Sequence, residues 1–575
     1  MGIFSTNRKN SNRFIKSPEN KLTIGNLLFI FSITILVITV ALPMLMIIYN
    51  TFFYKLTFNW KMFGNVIFQK ENIGAMYNTV KVSLFVTIFG TLIGLFFAWL
   101  IGRSDIPMKE IMKTLFTIPY MFPPFIGAMA WQLLLLPRSG YINKLFISLF
   151  GSPIFNINSI EGIIFVEVCY YFPFVFIQVS SALERMDPTL EESARIAGAN
   201  QMTVIRKITL PLVIPAIASG AMLILISSIS HFGVPAILGF SNNIFTLPTK
   251  IYEVIYKSAG SFEGIRQGTS LSVLLVIVVV AALALQRRIL KYGHYDIIKG
   301  KSMRPMLVKL RGTKPSLLIV CILFLFLVVA LPLFTIFGVG CLKAYGLPLV
   351  LKNMTLRNFK YVLFASQMAR DAIKNSFFLS ISAATINMLV GTMVAYVIVK
   401  VKIKGKGLLE LLAVLPYSVP GIVLAIGVIL MWSGAFKINL YNTIWIILIA
   451  YIGRYMTFSM KSVQASLGQV HNSLEEASRS CGATHLESLL DITLPLIRPG
   501  MVASFFLVFL PSMRELTTSL LLYGPFTRTM GVAIYTIHEE GNTVQATALA
   551  SVAILIIIIG NLVLRYITRE RKRNQ

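Results

Sequence analysis

DPTLEESARIAGANQMTVIRKITLP, residues 187–211, is a polar, helix-prone stretch lying between two long apolar runs. Its skeleton is Glu192-Ser193-Ala194, three residues, Gly198, nine residues, then Ile208-x-Leu210-Pro211. The skeleton returns 284 residues later as Glu476-Ala477-Ser478, three residues, Gly482, nine residues, Ile492-x-Leu494-Pro495. Unchanged spacing in two copies points to a duplicated chain. The form Thr189-x-x-Glu192, and again Ser473-x-x-Glu476, predicts a capping box at each helix start. Gly198 and Gly482 then allow a turn. A second short helix starts near Asn200 or Thr484 and runs into Leu-Pro, since proline suits the first turn of the next helix. Each loop therefore reads as a rigid helix–turn–helix.

Working outward, apolar residues make up 56% of the chain. They fall in runs of about 20 residues, long enough to cross a bilayer core of about 30 Å. We expect about twelve spans, near 24–50, 76–102, 111–136, 160–182, 212–238 and 268–287, then 315–342, 374–400, 408–433, 439–462, 497–522 and 546–568. The fold class is an all-α membrane protein of two parallel six-helix repeats.

The net charge of +29 would suggest nucleic acid in a soluble protein. Here the basic residues cluster at the ends of apolar runs, in the N-terminal tail 1–23, at Arg103, Lys109 and Lys113, at Lys400, Lys402, Lys404 and Lys406, in the linker 289–314 and in the C-terminal tail 569–575. With twelve spans all of them share one side with the two loops 187–211 and 471–495. By the positive-inside rule that side is the cytoplasm, and both termini lie there. Nucleic acid is not an expected partner. The first run is too long for a signal-peptide core and reads as a retained helix.

The halves, 24–288 and 315–568, answer each other elsewhere too. Pro119-Tyr120-x-x-Pro123 matches Pro416-Tyr417-x-x-Pro420, and Asn78 matches Asn375, both offset by 297. The prolines would kink or break the third and ninth spans. Tyr120 and Tyr417 read as interface anchors.

The motif pair resembles the EAA loop of permease subunits of binding-protein-dependent ABC importers, with Ser193 and Ser478 as small-for-small departures. Two such units in one chain are similar to the ferric-iron type. Pro511-Ser512-Met513-Arg514-Glu515-Leu516, followed by Thr517 to Leu522, is similar to the segment those permeases carry after the loop. Permeases for 2-aminoethylphosphonate, polyamines and thiamine share related features. The resemblance implies that Glu192, Ser193, Ala194, Gly198, Leu210 and Pro211, with Glu476, Ala477, Ser478, Gly482, Leu494 and Pro495, dock two copies of a cytoplasmic ATPase subunit. ATP and Mg²⁺ would sit on those partners. A periplasmic or lipid-anchored solute-binding protein would deliver the substrate, and transport would proceed by alternating access in the inner membrane. Gly300-Lys301-Ser302 looks like the end of a phosphate loop, but Tyr295 stands where a glycine is needed, so no ATPase site is expected in this chain.

Ionisable groups inside spans are functional suspects by default. Glu167, His231, Arg514 and Glu515 are such groups. With the 284 offset His231 aligns with Glu515, Ser230 with Arg514 and Ser228 with Ser512. These six residues are the candidate lining of a path between the halves. A carboxylate there would suit a hard cation such as Fe³⁺. The competing reading is that Arg514 and Glu515 only hold the bundle together. His231 alone reads as a packing histidine, and Glu167 as a structural hydrogen-bond partner. No catalytic constellation is present, and whether a metal site exists is open. An ion-coupled secondary transporter is the alternative class. It would carry more charged pairs inside its spans than this chain shows.

Overall fold

The computed structural model describes residues 24–54, 57–258, 261–291, 307–435 and 437–574. The N-terminal tail, most of the basic linker and its Gly300-Lys301-Ser302 lie outside these residues. In chain order the main helices are α1 (Gly25–Phe52), α2 (Lys70–Arg103), α3 (Lys109–Met121), α4 (Pro124–Leu135), α5 (Ile160–Arg185), α6 (Thr189–Ile196), α7 (Gln201–Ile229), α8 (Gly233–Gly239), α9 (Phe262–Leu285), α10 (Arg311–Gly340), α11 (Gln367–Lys400), α12 (Lys406–Ser418), α13 (Gly421–Trp432), α14 (Ile444–Leu467), α15 (Asn472–Ser480), α16 (Leu486–Met513), α17 (Ser519–Leu522) and α18 (Thr543–Leu564). A two-residue strand pair, Phe53–Tyr54 with Thr57–Phe58, interrupts the otherwise helical chain.

The breaks expected in the third and ninth spans are present. Among the described residues nine helices are straight, long and apolar enough to cross a membrane, and α3–α4 and α12–α13 are pairs bent by 92° and 115°. The tenth expected span is α14, whose 24 residues include Arg454 and Lys461 and so read as less apolar. The bends fall where proline forces them. Phe122 and Val419 each precede a proline and are extended, and Pro123 and Pro420 lack the N–H a continuing helix would need. The bent pair of the first half runs the length of α5: Lys113 of α3 meets Glu184 at the end of α5, while Gln132 of α4 meets Asn158 just before α5 begins. The fifth and eleventh spans end earlier than expected. α7 stops at Ile229 and α16 at Met513, each followed by a turn and then the short α8 or α17.

Each half is built on a three-helix core. α2, α5 and α7 pack together in the first half, and α11, α14 and α16 do so in the second. Small residues allow the closest approaches, as expected where lipid supplies no hydrophobic drive between helices. A Cβ on Gly94 would stand 2.7 Å from the Phe172 carbonyl oxygen, and one on Gly391, its repeat partner, 2.5 Å from Ser459 Oγ. The first helix of each half leaves its own core. α1 packs on α11, α13 and α14, and α10 packs on α4, with Phe324 packed among Phe97, Phe116 and Phe172. The two sequence repeats are thus interlocked.

The end of the bundle that carries α6 and α15 also gathers Arg103, Lys113 and Lys400. The end of the linker is strapped there. Val308 N–H donates to the Arg103 carbonyl at 2.8 Å, and Leu310 N–H to Asp105 Oδ1 at 2.9 Å. That amide, assisted by Lys314, holds the Asp105 carboxyl below the usual carboxylate range.

Gly94→Val drives a branched side chain into the α5 backbone, which cannot swing aside. We expect a loss of about 1–3 kcal/mol or more, read as a lower melting temperature of the detergent-solubilised protein. Gly64→Ala, where nothing lies within 4 Å of the new Cβ, should not lower the melting temperature.

Candidate functional site

Both loops form the expected helix–turn–helix. Gly198 and Gly482 turn the chain with φ of +88° and +96°. Space around both is open, so the demand for glycine comes from the left-handed backbone and not from a clash. The second helix of each loop is capped at the expected residue. Asn200 Oδ1 accepts from Thr203 N–H at 2.8 Å. Thr484 and Glu487 cap each other reciprocally, with Thr484 N–H to Glu487 Oε2 at 2.7 Å and Glu487 N–H to Thr484 Oγ1 at 3.2 Å.

The capping boxes expected at Thr189–Glu192 and Ser473–Glu476 do not form. Asp187 starts the first helix instead, accepting from both the N–H and the hydroxyl of Thr189. Ser473 faces His471. The glutamate that does the joining is the one before each motif. Glu191, 4% exposed, takes the Thr209 hydroxyl at 2.7 Å and faces the Arg103 guanidinium at 3.5 Å. Glu475 takes Thr493 at 2.7 Å and faces Lys400 at 3.4 Å. A five-residue π-helical turn, Ile205–Thr209 or Leu489–Thr493, ends on the threonine that meets the glutamate. The loop helix is thereby tied to the end of one core helix and the start of another. Glu192, Ser193 and Ala194, and likewise Glu476, Ala477 and Ser478, stay at or near the surface of α6 and α15. Leu210 and Leu494 are half-buried, and Pro211 and Pro495 open the membrane helices.

A cavity of about 270 Å³ lies between the halves. Both proline bends reach it, with Tyr120 and Tyr417 on its wall, so the anchor role expected for these tyrosines gives way to a cavity position. Pairs related by the repeat face each other around it. Tyr171 OH and His231 Nδ1 are 2.8 Å apart in the first half, and Tyr455 OH donates to Glu515 Oε2 at 2.8 Å in the second. Both pairs keep the 284 offset.

The charges break that symmetry. Glu515 Oε2 lies 3.5 Å from Arg454 Nε, and its Oε1 accepts from Thr518 N–H at 2.7 Å. The Arg454 guanidinium lies against Gly421; a Cβ there would stand 1.8 Å from its Nη1, and the guanidinium would have to shift. Arg514 crosses to the other half, donating to the Tyr120 carbonyl at 2.5 Å with its guanidinium 5.2 Å from the Tyr120 ring centre. Tyr170 and Ser230 stand where the second half has Arg454 and Arg514.

Four of the six candidate path residues, Ser230, His231, Arg514 and Glu515, line this cavity. The other two do not. Ser228 is buried against the Glu167 carboxylate, and Ser512 donates back to the Val508 carbonyl at 2.8 Å. Arg514 and Glu515 sit in the turn after α16 and not within the helix. Sequence reasoning missed Arg454, although an arginine inside the apolar run of α14 was a usable signal. Tyr171 and Tyr455 gave no signal of their own; only their matched positions in the repeat would have singled them out.

Arg454→Gln leaves the Glu515 charge without its cation. We expect a loss of stability of up to about 3 kcal/mol, the low end for a broken buried pair because Arg454 opens partly to the cavity. The double change Arg454→Gln with Glu515→Gln should recover part of it, seen as non-additivity in a thermal-unfolding cycle.

Comparison with known proteins agrees with this arrangement. The family model described as "Binding-protein-dependent transport system inner membrane component" matches twice, at residues 90–291 and 387–573. A ferric transport system permease protein of Actinobacillus pleuropneumoniae is 27% identical over 94% of this chain and 77% of its own length. The molybdenum transport system permease protein of Escherichia coli K12 is 32% identical over 32% of this chain and 81% of its own. A putative 2-aminoethylphosphonate transport system permease protein of Salmonella paratyphi A is 28% identical over 36% and 77%. The repeated match, on a bundle whose two halves carry the same loop and the same three-helix core, makes this chain a member of the binding-protein-dependent transport system inner membrane components: two permease units of an ABC importer fused in one multi-pass inner-membrane subunit, with ATP hydrolysis left to a separate chain.

Proposed function

We propose that this subunit imports ferric iron, with α6 and α15 each receiving one copy of a cytoplasmic ATPase and the cavity between the halves serving as the path. The observation that supports the docking role is the matched pair of ties, Glu191 to Arg103 and Thr209, and Glu475 to Lys400 and Thr493. A knob fixed in this way passes a push from outside into two core helices at once. ATP-driven approach of the two ATPase copies would rock one half against the other and turn the cavity toward the opposite face, where a solute-binding protein delivers its load. The iron assignment rests on the ferric permease relative, which aligns across nearly the whole chain. The unit boundaries 24–288 and 315–568 are those of the sequence repeat.

In this reading the loop-bearing end is cytoplasmic, as are both termini. Exposed Cys481 in the second loop supplies the test of sidedness. A membrane-impermeant maleimide should label it in inside-out vesicles and leave it unlabelled in right-side-out ones; the reverse pattern overturns the orientation. For docking, Gly198→Val with Gly482→Val places an L side chain at two left-handed positions, at about 1–2 kcal/mol each. The ATPase subunit should then co-purify in smaller amount and ATP-driven iron uptake should fall. Unchanged association and uptake would remove the docking role.

A further inference from the structure

We infer that the cavity binds an oxyanion, so that ferric iron crosses this permease with an oxyanion still in its coordination shell. The inference rests on the reading of the cavity as the iron path. Among the described residues lining it, the formal charges are two guanidiniums, Arg454 and Arg514, and one carboxylate, Glu515. The carboxylate is already committed. Arg454 faces it, Tyr455 donates to one oxygen and the Thr518 amide to the other. Arg454 and Glu515 neutralise each other, which leaves the Arg514 charge uncompensated. Its contacts are a backbone carbonyl and a ring face, and neither cancels a full charge.

A bare trivalent cation entering here meets net positive charge. Nor does it find a ready ligand set, because among the described residues no three of His, Cys, Asp and Glu converge. An oxyanion finds the reverse. Arg514 offers a planar fork of donors suited to phosphate or carboxylate. Ser230 and His231 line the same cavity, and His231 Nε2 is buried without a hydrogen-bond partner. In the tautomer in which the Tyr171 hydroxyl donates to His231 Nδ1, the proton sits on Nε2, which is then a further donor. An anion that bridges Arg514 and the metal turns a repulsive site into an attractive one. Phosphate and citrate share the required chemistry.

The test uses cells carrying the intact transporter and supplied with radiolabelled ferric iron as its phosphate or as its citrate complex, with the anion carrying a second label. We compare the wild type with Arg514→Gln and Arg514→Lys, each checked for membrane level and ATPase association. Entry of both labels together, a fall of at least tenfold for Arg514→Gln and partial recovery for Arg514→Lys support the inference, and the arm in which the anion enters names it. Iron entering alone, or faster in Arg514→Gln, overturns it while leaving the cavity on the path. Uptake unchanged in both variants overturns the path reading beneath it. Entry of the anion without iron overturns the ferric assignment.

Discussion

The buried carboxylate of Glu191, held between Arg103 and Thr209, and its copy Glu475 between Lys400 and Thr493, are what the rest of the molecule depends on. A charged group at the edge of a membrane protein is costly unless it is paired and hydrogen-bonded. Here the pairing joins the end of α2 or α11 to the loop helix α6 or α15 and to the π-helical turn within α7 or α16. The π-helical turn before each Leu-Pro ends on the threonine that takes part, so the irregular backbone and the buried carboxylate are one device. Without it the loops would be flexible connectors. With it they are rigid handles on the core of each half.

From those handles the geometry runs inward. α2, α5 and α7 pack together behind the first loop, and α11, α14 and α16 behind the second. The exchanged first helices, α1 and α10, lie across the opposite halves, so neither half can move without sliding against a helix of the other. At the centre four interruptions meet: the two proline bends and the two turns after α7 and α16. Breaks in membrane helices are tolerated where they line a cavity. In this protein they also deliver its polar side chains. Because the turn after α16 carries an arginine and a glutamate while its counterpart carries a serine and a histidine, a nearly twofold frame encloses a cavity that is not twofold in charge.

The sequence alone carried the duplication, because identical spacing in two loops and matched prolines survive as linear patterns. It carried the membrane class, the positions of the turning glycines and the proline breaks, all of which are local: a positive φ, a missing N–H, an apolar run. It pointed to His231, Arg514 and Glu515 because a charge in an apolar run stands out by itself. Tertiary structure alone decided which glutamate acts. Glu191 and Glu192 are neighbours in a polar helix, and only packing against Arg103 and Thr209 buries the first and leaves the second near the surface. It alone decided that the Glu515 charge is cancelled, since Arg454 arrives from another helix through the gap left by Gly421, and that α1 and α10 change sides. A chain shows what each residue prefers locally. Which charges meet, and which one is left over to hold a ligand, is fixed by distances between helices that no linear pattern records.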